Sequence, residues 1–158
     1  MKTYIVGLCA AVAVLASSGS LAAHHSLARF DTTTPVWITG TVIRIERINP
    51  HSLIVIDQSR SHQPAQRWVI DGPSPNVLAR MRLADDFVMP GEVLTVCGFV
   101  LKDETTTDSA RQISGHLLVL PNGKRQFWSD YGVFQKCLTP GEESDTYRRE
   151  AFGQPSQR

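Results

Sequence analysis

The stretch RWVIDGPSPNVLARMRL, residues 67–83, decides how the chain is built. Its first five residues, through Asp71, read as a short strand that Gly72 and Pro73 bring to a stop. Ser74 is then a candidate N-cap, Pro75 fits the first helical position, and Val77, Leu78 and Met81 share one helical face. A strand thus gives way to one short helix near residues 74–83, and the fold depends on what flanks that pair.

Upstream, VWITGTVIRIE (36–46) alternates apolar and polar side chains among β-branched neighbours, and Gly40 in its middle predicts a bend or bulge. INPH (48–51) turns the chain, because Pro50 pushes Asn49 out of the helical region. SLIVID (52–57) resumes as a second strand, and QSRSHQPAQ (58–66) reads as a polar loop before the third. Downstream, PGEVLTVCGFVLKD (90–103) carries a turn and a long apolar strand. ISGHLLVL (113–120), PNGK and RQFWS (125–129) form a hairpin around Asn122-Gly123, the strongest local hairpin signal in the chain. Three strands, one helix and two or three further strands must close on themselves to bury an apolar face. A five-stranded Greek-key barrel with its helix between strands three and four has this order. The expected fold is all-β with one short helix, a small closed OB-like β-barrel.

The two ends read differently. Residues 1–23 have a positive start at Lys2, an apolar run YIVGLCAAVAVLA and then small residues, the pattern of a cleavable secretory signal. The run is shorter than the ~20 residues a spanning helix needs, so no stable membrane anchor is expected after cleavage. Cleavage fits after Ala22 or after Ala23. The expected division is a signal peptide at 1–23, a barrel domain at 24–138 and a flexible tail at 139–158, where Pro, Gly, Glu, Ser and Arg leave little to bury. The protein is therefore expected in the periplasm or secreted.

Removing the signal leaves about 135 residues, enough for one core and too few for two. The chain holds 16 Lys+Arg against 15 Asp+Glu, and loss of Lys2 brings it to neutrality. No nucleic-acid partner is implied; an unknown protein or small ligand is. Loss of Cys9 leaves Cys97 and Cys137, which in an oxidising compartment pair as a disulfide more readily than they persist as two buried thiols. No nucleophile elbow, phosphate loop or CxxC pair occurs, so enzymatic catalysis has no motif to rest on. Asp85-Asp86 reads as a solvated turn. Trp37, Trp68 and Trp128, with Phe127 and Tyr131, read as core aromatics or as a ligand face.

In order along the chain, AHHSLARFD, TGTV, NPHSLIVID, RWVID, SPNVLAR and MPGEVLTV resemble a family of small uncharacterised exported bacterial proteins with an HHS motif at the start and a later NPH motif. The likeness runs from Ala23 to about Ser129. Leu27 stands where members usually carry an aromatic residue. The resemblance implies export and brings no activity with it.

Two adjacent histidines at the start of a mature chain have a chemistry of their own. Cleavage after Ala22 makes His25 the third residue, so that the terminal amine, two amides and one imidazole form the square-planar set that Cu(II) or Ni(II) prefers. Cleavage after Ala23 lets His24 supply both amine and imidazole, with His25 or His51 completing a nitrogen set that again suits copper. His51, on a turn between strands, is the candidate assistant; otherwise its imidazole only braces that turn. His62 lies in the polar loop, and His116 in an alternating strand reads as a core or surface histidine. Two functions follow: an exported module that binds copper through His24, His25 and His51, or a metal-free barrel for a ligand or protein, with an amino-terminal arm packed by Leu27 and Phe30.

Overall fold

The computed structural model describes residues 27–83, 85–102, 110–129 and 132–140. Among the described residues the strands are β1 (Val36–Arg47), β2 (Ser52–Arg60), β3 (Gln63–Asp71), β4 (Val93–Val100), β5 (Ala110–Val119) and β6 (Arg125–Phe127). Helix α1 (Pro75–Arg80) lies between β3 and β4, and 3-10 turns occupy Leu27–Arg29 and Gly132–Cys137. Among the described residues no helix is long and apolar enough to cross a membrane.

The barrel closes because β1 serves two neighbours. Its first half pairs with β4 and its second half with β2, both antiparallel. β2 pairs with β3, β4 with β5, and a parallel pairing of residues 67–71 on β3 with residues 110–114 on β5 completes the ring. The order around it is β1, β2, β3, β5, β4, the five-stranded OB-like arrangement that the sequence predicts. β6 is a short addition on β5.

Burial follows this closure. Ile38 and Val42 on β1, Ile54 and Ile56 on β2, Trp68 and Ile70 on β3, Leu94 and Val96 on β4, and Ile113 and Leu118 on β5 fill the interior. Leu78 from α1 and Met81 just after it join the same core. Ser74 caps α1 by extended backbone without a side-chain bond, with Pro75 in the first turn as expected. Arg82, at φ 53°, turns the chain away and keeps the helix short.

Two details correct the sequence reading. The irregularity in β1 lies between Val42 and Arg44, not at Gly40. There the extra residue Ile43 shifts the inward positions from 38 and 42 to 45, which lets one strand bend from β4 to β2. Gly40 answers a different need: a Cβ there would sit 2.7 Å from the Asp57 carbonyl oxygen. Residues 58–66 are likewise not a loop. β2 runs on to Arg60, β3 starts at Gln63, and His62 turns the hairpin at φ 60°. These residues are polar because that end of the hairpin is exposed.

Outside the barrel, Cys97 and Cys137 are bridged, with Cα atoms 5.8 Å apart, and bury Leu117 between them. The amino-terminal arm is tied to the end of β4: Phe30 bridges Leu101, Asp31 N–H donates to the Val100 carbonyl at 2.8 Å, and Lys102 N–H donates to the Arg29 carbonyl at 2.9 Å. Lys136 Nζ donates to the Thr32 carbonyl at 2.6 Å, joining arm and bridged segment.

Candidate functional site

β1 and β2 last pair at Arg47 and Ser52, so residues 48–51 make the turn, with a cis peptide at Asn49-Pro50. His51 is thereby placed one residue before β2. On the neighbouring strand, Asp71 pairs with Leu53 and ends β3. Two backbone bonds lock this corner: Gly72 N–H donates to the Ser52 carbonyl at 3.0 Å, and Ser52 N–H donates to the Pro73 carbonyl at 2.9 Å. Inward Ile70 turns Asp71 to the outer face, where its Oδ1 lies 2.7 Å from His51 Nδ1.

The two side chains are 26% and 19% exposed, so the bond is shielded but reachable. A carboxylate only accepts, so Nδ1 is the donor in this bond. Metal-ligating histidines are oriented in this way.

The polar row continues onto β5. Asp71 is in parallel register with Ser114, and Ser114 Oγ lies 3.3 Å from His116 Nε2. β4 and β5 fall out of step here: Cys97 pairs with Leu117 and Gly98 with Gly115, so His116 is the extra residue of a bulge. Its ring meets Phe99 edge-on at 5.2 Å. Full burial pushes the His116 pKa down to about 4, which keeps the ring neutral at neutral pH.

Of the residues singled out from sequence, His51 has a defined geometry, and Cys97 and Cys137 form the expected bridge. His24 and His25 lie outside the described residues, as does Tyr131. Asp85 pairs with Arg47, whose guanidinium also stands 5.9 Å from the Phe87 ring centre. Trp68, Trp128 and Phe127 are core, whereas Trp37 is 46% exposed. Thr41 on β1 pairs with Val93 on β4, and Ile43 and Val93 are also exposed, so this outer face carries scattered apolar side chains.

Sequence reasoning missed Asp71 and Ser114. The available signal was hairpin pairing, which sets the last residue of β3 beside the first of β2 and so beside the turn histidine. Among the described residues no group of three or more His, Cys, Asp or Glu could hold a metal ion. A complete ligand set therefore needs donors from elsewhere in the chain. No curated protein matches this sequence. A family described as one of unknown function matches residues 11–110, more than half of the chain.

Proposed function

Because the chain belongs to DUF6152, a family of unknown function, its activity has to be argued from its own residues. We propose that the mature protein is an exported binding module that takes up Cu(II) through His24 and His25, with His51 as the assisting ligand. The observation that carries this reading is the 2.7 Å bond from His51 Nδ1 to Asp71, which holds a half-buried imidazole in place at the rim of the barrel. Support for export comes from the leader-like residues 1–23 and from the bridge between Cys97 and Cys137, a bond that persists in oxidising compartments.

The barrel's role is to hold an imidazole in place while the start of the mature chain supplies the amine, amide and imidazole nitrogens. All of these lose their protons before they ligate, so uptake weakens as the pH falls. The test is calorimetric titration of the processed protein with Cu(II), its cleavage point fixed by mass spectrometry. One equivalent is bound by the wild type and lost in the variant carrying His24→Ala and His25→Ala. Unchanged affinity in that variant overturns the reading. What then remains is a metal-free barrel for a small ligand or protein, which the exposed Trp37, Ile43 and Val93 favour.

A further inference from the structure

We propose that the outer face of β1 and β4 binds an uncharged, straight-chain glycan: Trp37 stacks on one sugar ring, and the hydroxyls of Thr39 and Thr95 hydrogen-bond the next. The site shares no residue with the copper reading and stands or falls apart from it. Its layout follows from the strand period. Ile38, Gly40 and Val42 are buried on the inner side of β1, so Trp37, Thr39 and Thr41 project outward. Their partners across the ladder are Cys97, Thr95 and Val93. From residue 37 to residue 41 the strip is about 13 Å long, enough for a short oligosaccharide laid along the strand.

Three observations say what chemistry fits this face. Trp37 is held yet accessible. The Arg125 guanidinium stands 5.8 Å from its ring centre and is itself tied to the Cys137 carbonyl at 3.2 Å, while Trp37 stays 46% exposed. A braced indole gives the C–H face of a pyranose a flat platform at little cost in side-chain freedom. Next along the strip, Thr39 Oγ1 lies 2.8 Å from Thr95 Oγ1 on the exposed side. Each hydroxyl has one proton and two lone pairs, so a pair in which one donates retains a proton and lone pairs that sugar hydroxyls can meet. Finally, none of positions 37, 39, 41, 93, 95 and 97 is charged. A polyanion would find no counter-charge on these positions. The centre of a protein interface is dry and apolar, whereas here the centre is a hydroxyl pair, with Trp37 and Val93 toward the ends.

The experiment is titration of the protein with chitohexaose and cellohexaose in the presence of a chelator, followed by calorimetry and tryptophan fluorescence. Trp68 and Trp128 are buried, so a blue shift on binding reports Trp37. At least one of the two glycans is expected to bind and shift the emission, and maltohexaose, whose chain curls, is expected to bind more weakly. Trp37→Ala lowers the affinity about 10-fold or more, and Trp37→Phe, which keeps a flat ring, restores part of it. Thr39→Val, which keeps the shape and removes the hydroxyl, also weakens binding. Circular dichroism checks that each variant is folded. Failure of both straight-chain glycans to bind overturns the proposal, as does equal affinity for maltohexaose or unchanged affinity in Trp37→Ala. Sedimentation that shows a dimer in the wild type and a monomer in Trp37→Ala also overturns it, and assigns the face to a second copy of the chain.

Discussion

His116 is the residue that the β4–β5 register skips, between Gly115 opposite Gly98 and Leu117 opposite Cys97. Its burial has a thermodynamic consequence. The native pKa is lowered from 6.5 to about 4, so between those values the unfolded chain takes up a proton that the native chain resists. Stability is therefore full above the unfolded value and declines as the pH falls toward the native one, by about 3 kcal/mol in all. Urea unfolding at about pH 7 and about pH 4.5 checks this, with the wild type losing about 2 kcal/mol more than His116→Leu. Equal losses in the two proteins sink the assignment. In the sequence His116 is one more position in an alternating strand, because a bulge leaves no mark in the residues that it displaces.

At Gly98, β4 has no room for a side chain against the β5 backbone. A Cβ there would lie 2.1 Å from the Ser114 carbonyl oxygen, backbone that cannot move without opening the ladder. Gly98→Ala is expected to destabilise by about 3 kcal/mol, at the upper end of ordinary overpacking, because the clash meets a strand and not a flexible side chain. Thermal and urea unfolding measure it, and a loss below about 1 kcal/mol would show that the two strands are free to separate. Elements with local causes were legible from the chain alone. Pro75 and the spacing of Val77, Leu78 and Met81 give α1, and Asn122-Gly123 gives the β5–β6 hairpin, with Gly123 at φ 80°. The β2–β3 hairpin was not legible, since its turn uses His62 in a conformation that sequence rules reserve for Gly or Asn.

Across the whole molecule, the bridge between Cys97 and Cys137 ties the 3-10 turn Gly132–Cys137 to β4 over a sequence separation of 40 residues. Closing a loop of that length lowers the entropy of the unfolded chain by about 4 kcal/mol in free-energy terms. The variant with Cys97→Ala and Cys137→Ala should lose about that much in urea unfolding, and a difference below about 1 kcal/mol would mean that the bridge only decorates a finished barrel. The sequence by itself determined the order of three strands, one helix and further strands, the cysteine pairing, and hence an OB-like barrel, because apolar periodicity and turn chemistry act over a few residues. Only the tertiary structure decided the parallel closure of β3 on β5, the bulges at Ile43 and His116, and the meeting of His51 with Asp71. These depend on register between strands far apart in the chain, and register is set when the whole interior is buried at once.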